Sequence, residues 1–272
     1  IVPKLYDTDE AYILQNKDGR IVFVIPYEGD FSLVGTTDED FKGNPSDAAI
    51  SDEETEYLVD VVNHYFKTKI TRNDIVHSYS GVRPLLEEKN ASAQELTRDY
   101  KVELKGEVGK PVLLNIFGGK ITTYRKLAEH AVDKLVTCFP KAKKAWTKEV
   151  PLPGGAFEDQ ASLVSKLIRE FPWLEQSIAQ RYARQYGLLC YKFLKGVTSV
   201  KEMGEDFGFG MYRAEVDYLI DCEWAYTIED VLWRRTKHGL RLNKTQQEVL
   251  AQYISSKVAG TTDTVGVTAA SA

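Results

Sequence analysis

The sequence predicts an α+β chain: an antiparallel sheet with a few helices up to residue 148, then helices alone. Three observations carry this. Short β-rich runs bounded by turn residues fill the first part. Apolar residues at helical spacing dominate 158–258. Between them, "VPLPGGAF" at 150–157 has the Pro and Gly content of a linker. The expected domains are therefore 1–148 and 149–260, with 261–272, small and polar, as a disordered tail.

The elements follow in order. "AYILQ" and "RIVFVIPYE" alternate as strands, and Asp18-Gly19 between them is a hairpin signal. "FSLVGTT" continues the meander. Ser51 and Glu54 spell a capping box, and Tyr57, Leu58, Val61, Val62 and Tyr65 recur at helical spacing, so 52–67 is expected to be a helix. "DIVHSYSGVRPLL", "TRDYKVEL" and "PVLLNIF" read as strands, the first two separated by the polar loop "EEKNASAQEL". "GEVGKP" resembles a phosphate loop, but it lacks four residues between the glycines and a hydroxyl after the lysine, so it reads as a hairpin turn. In the helical part, Thr245 and Glu248 spell a second capping box. "VLWRRTKHGL" reads as a helix with one packed face and a cationic last turn, and "KAKKAW", 141–146, as a solvated loop.

Composition narrows the function. The chain has 272 residues, 43% of them hydrophobic, enough for one or two domains with a sizeable core. Its net charge of -5 argues against a general nucleic-acid binder. No run approaches the roughly 18 uninterrupted apolar residues of a membrane span. Cys138, Cys190 and Cys222 are odd in number and far apart, which suits free thiols in a reducing compartment. The four histidines show no metal-binding spacing, so no metal site is expected. The opening "IVPKLYDTDEAYIL" reads like the interior of a longer chain.

The chemistry-bearing stretch is "IFGGKITTYRKLAEHAVDKL", 116–135. Gly118 and Gly119 permit backbone shapes that a side chain would block. Thr122 or Thr123 is placed to cap a helix whose first turn offers free N–H groups to an anion or an electron-rich ring edge, and Lys120 adds a full charge. An ordinary strand-to-helix turn fits the same residues. The stretch has no GxGxxG, so it is not the main nucleotide-binding turn. Arg83, fixed by Pro84 in an extended backbone, and Arg98, on the next expected strand, match a phosphate or carboxylate by their fork geometry. Singly, they also fit a surface arginine and a local ion pair with Asp99.

These segments, together with "YILQNKDGRIVFVIPYEGDFSLVGTTD", "AWTKEVPLPGG", "GEDFG" and "LWRRTKHGL", resemble the aerobic, FAD-dependent glycerol-3-phosphate dehydrogenases along nearly the whole chain. The resemblance implies a partial antiparallel-sheet substrate cap, then the terminal strand and helix of an FAD domain, then an all-α C-terminal domain. It implies that a dinucleotide-binding half, and with it a histidine that is the best candidate for the general base, precedes Ile1, and that this chain alone is inactive. The implied reaction oxidises sn-glycerol 3-phosphate to dihydroxyacetone phosphate by hydride transfer to FAD, with electrons passed to a membrane quinone. Arg83 and Arg98 would hold the substrate phosphate, Lys120 would be the catalytic cation beside flavin and substrate, and Gly118, Gly119, Thr122 and Thr123 would line the flavin. The implied place is peripheral, on the cytoplasmic face of a bacterial inner membrane, and a homodimer stays open. The rivals are a related flavin oxidase, such as a glycerol-3-phosphate oxidase or an amine oxidase-like enzyme, and an inactive helical interaction module.

Overall fold

A computed structural model describes residues 1–35, 41–83, 99–107, 109–139 and 141–268, with side chains to 260. The chain divides into two compact units, Ile1–Val150 and Pro151–Ala272. The first is a small antiparallel sheet with helices and the second is helical, so the fold is α+β.

In the first unit, β1 (Val2–Pro3), β2 (Tyr12–Gln15), β3 (Ile21–Tyr27) and β4 (Phe31–Gly35) form one antiparallel sheet in the order β1-β4-β3-β2. The period-2 alternation sends Leu14, Val22 and Val24 to the buried face and Ile13, Phe23 and Ile25 to the other. Leu14 pairs with Val22 across the β2–β3 hairpin. Its turn closes through Gly19, whose positive φ a side chain would strain. Helix α1 (Asp52–Tyr65) starts on the expected capping box: Glu54 N–H donates to Ser51 Oγ at 3.1 Å, and Ser51 N–H to Glu54 Oε2 at 2.9 Å. Its Val59, Val61 and Val62 close a core with Val2, Leu5, Leu14, Val22, Val24 and Ile70.

The stretch expected as the strand "DIVHSYSGVRPLL" differs. Residues 72–74 form a 3-10 turn, and 75–83 run without regular strand structure. Val76 N–H donates to Ile1 C=O at 2.8 Å, but no β ladder forms over these residues, and Tyr79 and Val82 are exposed. The loop 87–96 and Arg98 lie outside the described residues. Beyond them, β5 (Lys101–Lys105) and β6 (Leu113–Phe117) form an antiparallel hairpin in the register Lys101↔Phe117. "GEVGKP" is its turn, with Lys110 N–H donating to Glu107 C=O at 3.0 Å. Helix α2 (Tyr124–Leu135) follows.

The second unit comprises α3 (Gln160–Glu170), α4 (Gln176–Tyr186), the short α5 (Tyr191–Leu194), α6 (Arg213–Glu223) and α7 (Lys244–Thr268). Their apolar stripes meet in one core that includes Leu167, Ala179, Tyr182, Leu194, Met203, Met211, Leu219, Leu232, Leu250 and Ile254. Gly187 ends α4 at φ +54, and an added Cβ would lie 2.3 Å from the Gly154 carbonyl oxygen, so glycine is required there. Two local expectations change. "VLWRRTKHGL" is a π-helical turn over Asp230–Arg235 followed by a 3-10 turn, because Thr236 N–H reaches back five residues to Val231 C=O. The cap of α7 is Asn243 with Gln246, each backbone N–H donating to the other's side-chain oxygen at 3.0 Å, two residues before the Thr245–Glu248 pattern. The α7 backbone stays helical to Thr268, inside the stretch expected as a tail, where no proline interrupts it. Residues 269–272 lie outside the described residues.

Candidate functional site

The apolar run Leu113–Phe117 pairs with β5, and the chain must then turn sharply into α2. Gly118 at φ +67 and Gly119 at φ +118 make that turn. Lys120 follows in extended backbone (φ -102°, ψ 142°), then a 3-10 turn over Ile121–Thr123 opens α2. Thr123 occupies the N-cap position, but its side chain makes no capping bond; its hydroxyl donates to Lys120 C=O at 3.1 Å instead. The start of the helix is therefore without a side-chain cap, and the expectation that a threonine caps it is corrected. The 3-10 turn takes part of the cap's place: Thr123 N–H donates to Lys120 C=O at 3.0 Å and Tyr124 N–H to Ile121 C=O. A Cβ at Gly119 would come within 3.0 Å of Leu127 Cδ1 and 3.5 Å of Tyr100 Cβ, so the backbone there is held close against α2 and the segment before β5. Lys120 and Thr122 are exposed, and Thr123 is half-buried.

The helix behind this turn is braced. Glu129 accepts from Arg125 at 2.7 Å, from Lys126 at 3.0 Å and from the Thr147 hydroxyl at 2.6 Å. The Thr147 hydrogen bond, then that from Lys126, holds its carboxyl below the usual range. Tyr100 and His130 lie with ring centroids 5.7 Å apart.

Gly118, Gly119, Lys120, Thr122 and Thr123 are thus gathered at one uncapped turn. Arg83 is exposed, at the end of the irregular stretch 75–83 rather than on a strand. Arg98 lies outside the described residues.

Sequence reasoning missed a buried polar cluster in the second unit. Arg181 on α4 makes a two-pronged ion pair with Glu215 on α6, its second nitrogen 2.8 Å from Glu215 Oε2 and equally far from Gly210 C=O. Tyr186 donates to Glu215 at 2.6 Å. Gln185 donates to Tyr186 Oη at 3.0 Å and to Arg235 C=O at 2.9 Å. Burial alone would push the Glu215 carboxyl up, but Arg181 and Tyr186 hold it below the usual range. His238 is buried beside the pair, and burial, aided by Arg181, pushes its pKa down to about 4. Burial also drives the Tyr182 and Tyr186 hydroxyls far up. The members are shielded from solvent and joined mainly to one another, so the cluster's role is to tie α4, α6 and their neighbouring turns together. A signal existed: Glu215 shares its helix face with Tyr218 and Leu219, positions that periodicity assigns to the core.

No described helix is long and apolar enough to cross a membrane. Two family models match the chain: FAD dependent oxidoreductase over residues 2–125, and the C-terminal domain of alpha-glycerophosphate oxidase over residues 145–257. The chain is 48% identical to the aerobic glycerol-3-phosphate dehydrogenase of Escherichia coli, over 93% of its own length and 51% of the relative's. It is 41% identical to a D-erythritol 1-phosphate dehydrogenase of Brucella abortus, over 94% of its length and 51% of the relative's. It is 29% identical to the mitochondrial glycerol-3-phosphate dehydrogenase of Mesocricetus auratus, over 93% and 35%. The chain thus spans about half the length of the bacterial relatives it matches.

Proposed function

The chain belongs to the FAD-dependent glycerol-3-phosphate dehydrogenase family, and from that premise we propose that it is the part of a flavoenzyme that binds sn-glycerol 3-phosphate and covers one side of the flavin for its oxidation to dihydroxyacetone phosphate. The observation that carries the proposal is the glycine turn before α2. Two positive-φ glycines, an extended lysine and a helix start without a side-chain cap make a cradle, and the close packing of Gly119 against Leu127 and Tyr100 fixes its backbone in place. The cradle suits the edge of a flat, electron-rich ring, because backbone donors and the helix dipole face such a ligand without a side chain between.

In this proposal Gly118, Gly119, Thr122 and Thr123 line the flavin. Lys120 sits at the same turn, where its ammonium stabilises negative charge as it develops on substrate oxygen or cofactor. Arg83 and Arg98 bind the substrate phosphate, a task for which paired guanidinium forks are suited. When bound, FAD supplies the acceptor for the hydride that leaves C2 of the substrate, and the electrons pass on to a membrane quinone. The whole enzyme associates peripherally with the cytoplasmic face of the inner membrane. No GxGxxG lies among the 272 residues, so this chain alone is expected to turn over no substrate.

The test uses the longer protein that carries this chain. Arg83→Ala and Arg98→Ala are expected each to raise the KM for glycerol 3-phosphate at least tenfold, about 1.4 kcal/mol of lost binding, with flavin content unchanged. Unchanged KM in both would defeat the phosphate assignment. The similarity to a D-erythritol 1-phosphate dehydrogenase favours a second reading, a longer polyol phosphate as substrate on the same phosphate site. Comparing kcat/KM for the two phosphates separates them. The match to an oxidase domain raises oxygen as the acceptor. Stopped-flow reoxidation by oxygen and by a soluble quinone distinguishes the two.

A further inference from the structure

Gly118 and Gly119 bring no side chain to fix the turn they make, so what holds it comes from outside it. Tyr100 is one such residue. The β5–β6 ladder ends at Lys101↔Phe117, and Tyr100 stands just before it, where a further rung would set it opposite Gly118. Its Cβ lies 3.5 Å from the place a Cβ of Gly119 would take, and Leu127 Cδ1 lies 3.0 Å from the same point. Its ring meets that of His130, three residues after Leu127 on α2, at 5.7 Å between centroids. Tyr100 therefore packs against both the glycine turn and the helix which that turn opens. It is half-buried and lies outside the buried cluster under the four-stranded sheet, so its bulk does not serve to fill that core. Only two peptide units separate it from Arg98 in the sequence, and Lys120 directly follows Gly119. One side chain thus joins the segment of a proposed phosphate ligand to the turn of the proposed cation.

We propose that Tyr100 is a positioning residue for the dehydrogenase reaction: its Cβ and ring, set against Gly119 and α2, fix where the turn carrying Lys120 stands relative to the strand that follows Arg98. The proposal rests on the site assignment above and adds a residue that acts through the turn, not on substrate or flavin. Hydride transfer is sensitive to such placement, because a displacement of about 1 Å between reacting groups costs on the order of 100-fold in rate. Both contacts are made by carbon atoms, so the role requires the aromatic ring and not the hydroxyl.

The test follows flavin reduction in the longer protein that carries this chain, by rapid mixing with glycerol 3-phosphate, with rates counted per bound flavin. Tyr100→Ala is expected to slow reduction about 30-fold. The substrate concentration giving half the maximal rate should change by less than about threefold, since the groups that bind the phosphate are kept. Tyr100→Phe should reduce its flavin within about twofold of the wild-type rate. Tyr100→Leu, which keeps apolar bulk without a ring, should fall between the two. A tyrosine that only stabilised the fold would lower the yield of flavin-loaded protein and leave the rate per flavin unchanged; that result for Tyr100→Ala would overturn the proposal. A phenylalanine variant as slow as the alanine one would move the role to the hydroxyl and overturn it, as would a half-saturation shift as large as the loss of rate. Should the alanine variant not fold, equal rates for the leucine and phenylalanine variants would do the same. Arg83→Ala, measured alongside, separates this proposal from the site assignment. Half-saturation raised in Arg83→Ala, with Tyr100→Ala like wild type, leaves the assignment standing and removes Tyr100 from it. Wild-type protein whose flavin is not reduced by glycerol 3-phosphate removes both.

Discussion

His238 is a residue whose surroundings change its protonation in the mildly acid range. Burial and the Arg181 guanidinium depress its pKa from 6.5 to about 4, while an unfolded chain would return it to the ordinary value. The unfolded state therefore binds more protons between those values, and stability falls as pH falls. The His238 contribution is fully present above about pH 6.5 and is lost progressively towards pH 4. Glu215, whose carboxyl is held low, acts in the same direction at the acid end of that window. On the order of 3 kcal/mol is at stake for the histidine. The thermal midpoint of the second unit should drop across this range, and His238→Gln should flatten the slope. A wild-type midpoint independent of pH would show that the imidazole is not held neutral. Of this, only the core-facing position of Glu215 was legible in the sequence. Arg181, Glu215 and His238 come from segments far apart in the chain, and only tertiary packing reveals that their charges face one another. Gly118 and Gly119 were legible, because a glycine pair after an apolar run has few other reasons to occur.

The turn between β6 and α2 makes the same contrast at the level of elements. Its strand, its glycines and its helix follow from local pattern, but the missing cap does not, since Thr123 has the chemistry to cap and spends its hydroxyl on Lys120 C=O instead. Capping was read correctly at α1, where Ser51 and Glu54 bond reciprocally, and two residues late at α7, where Asn243 and Gln246 compete successfully with Thr245 and Glu248. The strand expected over 74–86 fails over its described part because extended sequence is not enough; a strand also needs a neighbour to complete a ladder. Gly119→Ala tests the turn directly. At φ +118 an alanine is strained, and Leu127 must give way by a few tenths of an ångström. A loss of about 1–3 kcal/mol is expected in denaturant unfolding of the first unit, with weaker flavin retention in the longer protein. An alanine variant as stable as wild type would mean that the turn relaxes freely and is not the rigid cradle assigned to it.

The two units differ in how far each accounts for its own stability. In the second, α3, α4, α6 and α7 converge on one core whose leucines, methionines and Tyr182 are almost wholly removed from water, and its buried charges are paired inside the same unit. In the first, nine residues form the buried cluster under the four-stranded sheet. The outer face of that sheet leaves Ile13, Ile21, Phe23 and Ile25 in solvent, and the two-stranded β5–β6 hairpin with α2 exposes Leu113, Ile116, Ile121 and Tyr124. A two-stranded hairpin is marginal in water, and one amphipathic helix adds little unless its apolar face is covered. Expressed alone, residues 151–272 should therefore unfold in one cooperative transition, whereas residues 1–150 should unfold at lower denaturant and bind a hydrophobic dye before doing so. Leu167→Ala within the isolated second unit, at a fully buried position of α3, should cost about 2–5 kcal/mol without changing that cooperativity. A second unit that melts gradually when separated would show that its core depends on residues outside it, and the stability assigned here to its own packing would have to be sought in the rest of the chain.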